Sequence, residues 1–153
     1  MDMSGEYVVA APRETVWAAL NDAEVLKACI PGCEELTKTS DTTMEAKVTQ
    51  KIGPVKARFA GAVELVNIVA PEGYTIRGEG KGGVAGFAKG SADVHLAEAD
   101  GGTTLTYVAN VQVGGKLAQL GSRLIQSTAK RLADKFFENF RNHLSEGAPS
   151  GGT

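Results

Sequence analysis

Histidine and cysteine are scarce in this chain, and each scarcity closes off a kind of chemistry. The two histidines are badly placed for catalysis. His95 falls in the outward row of an alternating segment and His143 near the end of a helical one, so neither is set up as a general base. No Ser-His-Asp set and no metal-ligand cluster can be drawn from the remaining side chains. The only two cysteines, Cys29 and Cys33, have neither the Cys-x-x-Cys redox spacing nor the spacing of half a matched zinc site. They read as buried or half-buried thiols in a reducing compartment, with a labile disulfide or a weak metal clip as the alternatives. Basic charge is in deficit too: 16 Lys and Arg against 18 Asp and Glu give a net charge of −2, which argues against a nucleic-acid partner. No apolar run approaches the ~18 residues of a membrane span, and the start has no basic-then-apolar signal pattern. The expectation is a soluble cytoplasmic domain over 1–145 with a flexible polar tail over 146–153.

What is present is a chain of 153 residues, 42% hydrophobic, with 19 glycines. That is enough for one domain with a real core. Met3 to Ala10 alternates as a first strand. Pro12 opens a short helix with Val16, Trp17 and Leu20 on its apolar face, and Ala23 to Ala28 makes a second, stopped by Ile30-Pro31-Gly32. From Glu34 to Val113 the period is two, broken at Gly53-Pro54, Pro71-Glu72-Gly73, the Gly78–Gly86 cluster and Asp100-Gly101-Gly102. The last run, Gly115 to Leu144, repeats apolar residues every three or four positions. It predicts one helix of roughly 25 to 28 residues, well above the average of about 11 to 12. The order gives an α+β helix-grip fold: a curved antiparallel sheet of about seven strands around a long C-terminal helix.

The inward rows are notable for small size rather than for polarity. Ala46, Ala57, Gly61, Gly78, Gly80, Ala88, Gly90, Ala92 and Ala109 all fall on the face that should meet the helix. A sheet stands about 10 Å from what covers it, and interiors fill such gaps densely. Close settling of the helix, bending of the sheet, or a ligand cavity would each answer the missing volume. For a cavity, the expected lining is Phe59, Val63, Phe87, Tyr107, Leu117, Leu120, Leu124, Thr128 and Leu132. Gln50, Tyr107 and Thr128 are the candidate polar anchors, and Gly61, Gly78, Gly80, Gly90, Ala92 and Ala109 make the room. Gly121, read as mid-helix at a cost of about 1 kcal/mol against Ala, is expected to permit close approach. Phe136, Phe137 and Phe140 read either as core or as an exposed docking surface. Gly78-Glu79-Gly80-Lys81-Gly82-Gly83 matches a dinucleotide fingerprint, but a strand follows it instead of a helix, so it reads as a bend.

Several of these stretches resemble the G-subunit family of carbon monoxide dehydrogenase, within the START-like (SRPBCC) polyketide cyclase superfamily. They are Cys29-Ile30-Pro31-Gly32-Cys33, Ile52-Gly53-Pro54 with Phe59 and Gly61, Gly78 to Gly86, Val113 to Leu124, and Ala133 to Phe137. The run Gly114-Gly115-Lys116-Leu117-Ala118-Gln119-Leu120-Gly121 is the specific part. The resemblance implies a non-catalytic accessory of a molybdenum-containing carbon monoxide dehydrogenase or related molybdenum hydroxylase. It implies binding of a quinone or lipid-like ligand in an apolar cavity, no covalent or metal cofactor, and a peripheral place at the inner face of the membrane. Members commonly continue through a linker to a membrane-binding segment, and Ala148 to Thr153 reads as the start of such a linker. Two other functions compete. One is a purely structural recruitment or assembly factor. The other is a cyclase- or hydrolase-like enzyme, which would need a polar cluster inside the cavity.

Overall fold

Period-two alternation in the middle of the chain builds seven strands, and the two short helices and the long C-terminal helix cover one face of them. The structure, a computed structural model, describes residues 1–147. β1 (Asp2–Val9) leads into α1 (Arg13–Leu20) and α2 (Ala23–Cys29). Then come β2 (Cys33–Lys38), β3 (Thr43–Ile52), β4 (Val55–Val69), β5 (Gly73–Lys81), β6 (Phe87–Ala99) and β7 (Gly102–Gly114). α3 (Lys116–Gln119) and α4 (Ser122–Gly147) close the order, and a single 3-10 turn, Gly83–Ala85, links β5 to β6. The sheet order is β1-β7-β6-β5-β4-β3-β2. Each neighbouring pair is antiparallel. The helix-grip expectation is therefore met, with hairpins from β2 to β7 and β1 added beside the last strand. The tail assigned to 146–153 starts within the last turn of α4, and its remainder lies outside the described residues.

Local chemistry explains the short helices. The Asp22 carboxylate accepts from Glu24 N at 2.9 Å and Val25 N at 3.4 Å, satisfying free donors at the start of α2. At the other end Asn139 of α4 donates to the Cys29 carbonyl at 3.0 Å. This bond satisfies a terminal acceptor and fixes α2 against α4. Thr103, fully buried, donates to the Ala11 carbonyl at 2.8 Å and holds the β1–α1 connection to the start of β7. Val9, Val16, Leu20, Leu96, Leu105 and Phe140 form the centre of the core at this end. Burial pushes the Cys29 thiol above its ordinary pKa, and both cysteines are free.

The expected single C-terminal helix is two. Leu120 caps α3 and Gly121 takes φ +90°, after which α4 runs for 26 residues. The apolar spacing reads through this break because Leu117, Leu120 and Leu124 keep helical intervals, whereas the backbone at Gly121 does not. A Cβ at Gly121 would meet nothing within 4 Å, so the glycine serves a left-handed turn and not close packing. The phase of α4 is set anew after it. Ile125, Thr128, Phe137 and Phe140 are buried, with Ala133, Phe136 and Leu144 packed on the core. The docking-surface alternative for Phe136, Phe137 and Phe140 is corrected here: the rings pack on one another against the core, Phe136 stacked on Phe140 and Phe137 edge-on to both, with centroids 4.9 to 6.2 Å apart.

Two substitutions test this account by chemical denaturation. Gly121→Ala would stabilise a continuous helix, but at a left-handed turn it should lower stability by about 1–2 kcal/mol. Phe140→Ala should cost about 3–5 kcal/mol, because the emptied site lies under α4 where the core is already closed.

Candidate ligand cavity

The register of the strands sorts the inward residues into rows that shrink from one end of the sheet to the other. At the α1 end Leu96 faces Leu105 across β6 and β7, and the next row runs Tyr74, Val94, Tyr107. A middle row runs Leu65, Ile76, Ala92, Ala109, Met3. Beyond it come Met44, Val63, Gly78, Gly90, Val111, and then Ala46, Gly61, Gly80, Ala88, Val113. Burial follows size: Leu65, Tyr74, Leu96 and Leu105 are buried, while Ala46, Gly61, Gly80, Ala88 and Val111 on the same face are only half-buried. The space between sheet and helix therefore widens along the strands, from the α1 end toward Ala46, Gly61 and Gly80.

That space is a cavity of about 590 Å³, within the range that holds a drug-sized molecule. The sheet contributes Met44, Ala46, Val63, Ile76 and Val94 among others. α1, α2 and the residues after them contribute Leu20, Leu26 and Ile30, and α4 contributes Ala129, Ala133, Phe136 and Phe137. Its titratable lining residues are Tyr74, Tyr107 and the solvent-exposed Glu79. The Tyr107 hydroxyl lies beside that of Tyr7 and hydrogen-bonds with it, and the two rings are stacked with centroids 6.2 Å apart. The Tyr74 ring stands edge-on to Trp17, with centroids 5.3 Å apart, and burial pushes its hydroxyl well above the ordinary tyrosine range. The Tyr107 ring lies over Gly5, where any Cβ would strike it. Tyr7 stacks on Phe137 at 4.1 Å and donates to Asp134 at 2.6 Å, pinning β1 to α4 beside the cavity.

The structure brings only part of the expected set to this cavity. Val63, Tyr107, Gly61, Gly80, Ala92 and Ala109 line it. Gly78 and Gly90 line an adjoining hollow of about 280 Å³ together with Gly80, Ala92 and Ala109. Phe59, Phe87, Leu117, Leu120, Leu124, Thr128 and Leu132 are not in the lining, and each has a physical reason. Phe59 settles over Gly82, where a Cβ would come within 2.6 Å of its ring. Phe87 precedes the inward Ala88 and so belongs to the outward row; it is 38% exposed and leans on Gly114. Leu117 is buried in α3, which packs on β7 and the Gly83–Ala85 turn. Leu124 reaches the β3–β4 turn, where a Cβ on Gly53 would meet it at 2.9 Å. Leu120, Thr128 and Leu132 follow the phase of the uninterrupted helix, whereas α4 turns Ala129 and Ala133 to the cavity. Of the polar candidates, Gln50 is already committed: its amide donates to the Pro31 carbonyl at 2.5 Å and holds the Ile30-Pro31-Gly32 turn on β3.

Tyr74, Leu26, Ile30, Leu36 and the alanine pair of α4 are lining residues that the sequence reading left out. The Ala129, Ala133 spacing was a usable signal, since residues four apart share a helix face and two small ones leave room beside it. His95 and His143 are both exposed. Among the described residues no group of His, Cys, Asp or Glu is placed to hold a metal ion. Among the described residues no helix is long and apolar enough to cross a membrane.

Known proteins place this geometry in a context. A conserved protein from Geobacillus kaustophilus superposes with a TM-score of 0.89 at 29% identity, over 95% of this chain and 96% of that one. Ara h 8.0201 is similar in fold alone, with a TM-score of 0.67 at 15% identity over 96% of this chain and 99% of that one. So is the di-domain ARO/CYC BexL from the BE-7585A biosynthetic pathway, with a TM-score of 0.66 at 12% identity over 94% of this chain and 49% of that one. No curated protein matches the sequence. The carbon monoxide dehydrogenase G-subunit (CoxG) family matches residues 5–145. With nearly the whole domain matched, this chain belongs to the CoxG family of carbon monoxide dehydrogenase subunits.

Proposed function

We propose that this protein is a non-catalytic accessory of a molybdenum-containing carbon monoxide dehydrogenase, or of a related molybdenum hydroxylase. In this reading it carries a hydrophobic ligand, a quinone, in the cavity between the sheet and α4, and so links the enzyme to the membrane and its respiratory chain. Family membership supports the association with a carbon monoxide dehydrogenase system. The observation that carries the ligand reading is the taper of the inward rows. Ala46, Gly61, Gly80, Ala92 and Ala109 leave about 590 Å³ that no side chain fills, and an apolar space of that size is stabilised by an apolar guest. A quinone suits the polar inventory as well. Its carbonyl oxygens accept hydrogen bonds, and the Tyr74 and Tyr107 hydroxyls of the lining can donate them, Tyr107 by turning from Tyr7. No side chain in the lining other than Glu79 carries charge, which suits transport of a neutral molecule better than chemistry on it.

Two measurements check the proposal. Mass spectrometry of an organic extract of the purified protein should show a prenylated quinone. Titration with a soluble naphthoquinone should quench Trp17, the only tryptophan, through its contact with Tyr74. Ala92→Phe should fill the cavity and weaken that titration by more than about tenfold while the melting temperature holds, because the added ring enters space that is already empty. A clean extract together with an unquenched Trp17 would show that the volume serves no quinone.

The tyrosines give a finer prediction. Tyr74→Phe and Tyr107→Phe should each weaken naphthoquinone binding about twofold to tenfold, the value of one hydrogen bond. Unchanged affinity in both would assign binding to shape and apolar contact alone.

A further inference from the structure

One of the two tyrosines in the cavity wall is tied to the protein surface. Tyr107 lies across β1 at Gly5, its partner in the β1–β7 register, where a Cβ would come within 2.5 Å of the ring. The missing side chain lets the Tyr107 ring lean toward Tyr7, and the two stack with planes 10° from parallel. Their hydroxyls are hydrogen-bonded. Tyr7 in turn donates to Asp134 of α4 at 2.6 Å. Asp134 stands on the outside, its side chain 51% exposed and paired with Lys130 at 3.3 Å. The three side chains run in one line from the cavity wall to the surface.

The direction of each bond follows from what the groups can do. Tyr7 and Lys130 hold the Asp134 carboxyl below the ordinary carboxylate range, so at neutral pH it is ionised and can only accept. The single proton of the Tyr7 hydroxyl therefore goes to Asp134, and the Tyr7 oxygen is left to accept from Tyr107. Tyr107 then has no proton for the cavity and offers a guest an oxygen lone pair. Tyr74, on the same wall, has no such tie among the described residues, so its hydroxyl turns to donate or accept as the guest requires.

A polar atom of a guest costs binding in an apolar cavity unless it is paired. At Tyr107 an O–H finds an acceptor with nothing disturbed. A carbonyl oxygen finds a donor there only when Tyr107 gives up Tyr7, so one hydrogen bond is broken for the one made. We propose that the cavity selects a guest presenting an O–H donor at Tyr107, and so holds a hydroquinone more tightly than its quinone. Tyr7 and Asp134 act as positioning residues, since neither lines the cavity. The selection rests on the carrier reading for the identity of the guest. A tenfold preference would raise the two-electron potential of the bound couple by about 30 mV, which favours arrival of electrons in the cavity.

Anaerobic calorimetry with a naphthoquinone and its dithionite-reduced hydroquinone measures the preference as a ratio of two affinities. The native chain should favour the hydroquinone about threefold to tenfold, the worth of one hydrogen bond. Tyr7→Phe keeps a ring on Phe137 but releases the Tyr107 proton to the cavity. Quinone binding should then hold or tighten, hydroquinone binding weaken, and the preference disappear. Asp134→Ala, on the surface, should move the ratio the same way, while Lys135→Ala leaves it unchanged. Equal weakening of both forms in Tyr7→Phe and Asp134→Ala would mark a merely structural role and overturn the proposal. So would a native chain that prefers the quinone. A naphthol and its methyl ether, which lacks the donor, separate this selection from the carrier reading. A chain that binds neither quinone form, yet favours the naphthol until Tyr7 is Phe, refutes the carrier reading and leaves the selection standing. One that binds quinone and hydroquinone alike, with both unchanged in Tyr7→Phe, refutes the selection alone.

Discussion

A helix and a sheet that cover one another must have the gap between them filled, and in this protein the side chains available for filling it run out partway along the strands. At the α1 end Tyr74, Leu96, Leu105 and Phe140 meet and exclude water. Four residues further along the same strands the facing positions are Ala or Gly, and α4, which lines the space with Ala129 and Ala133 beside Phe136 and Phe137, does not fill it. Closed core and open cavity are thus two ends of one packed layer. The first supplies the stability that lets the second stay empty, because a cavity forfeits both dispersion contacts and transfer free energy.

Polar groups are distributed to match. The bonds that position α2 and α4 lie at the margins of the cavity: Asn139 on the Cys29 carbonyl, Tyr7 on Asp134, Gln50 on the Pro31 carbonyl. Inside, the lining is apolar but for the Tyr74 and Tyr107 hydroxyls and Glu79. Charge is moved to the outside and sorted by end, basic around the β3–β4 turn and the β5–β6 connection and acidic at the far turns. The same two-ended plan governs packing, polarity and surface field.

Much of this was legible before any coordinates. Alternation located the strands, the turn residues separated them, and the small inward residues announced missing volume at Gly61, Gly80, Ala92 and Ala109. The run from Val113 to Leu124 and its companions pointed to the right family. The lining was read less well, and the errors share a cause. Phe87 needed a parity that the glycine cluster before it had scrambled. Phe59 had the right parity but found an unoccupied glycine, Gly82, to cover. Leu120 was chosen as part of one continuous helix, which the left-handed residue at Gly121 interrupts, and within α4 the cavity meets Ala129 and Ala133 rather than Leu124, Thr128 and Leu132.

The sequence by itself determined the period of every strand, the positions where bulk is absent, and the sorting of acids and bases along the chain. Those are local properties, set by side-chain size, charge and backbone preference. Only the tertiary structure decided that the small residues line up across four or five strands and that α4 presents alanines to them. Register and helix phase decide such things, and both depend on contacts between residues far apart in the chain.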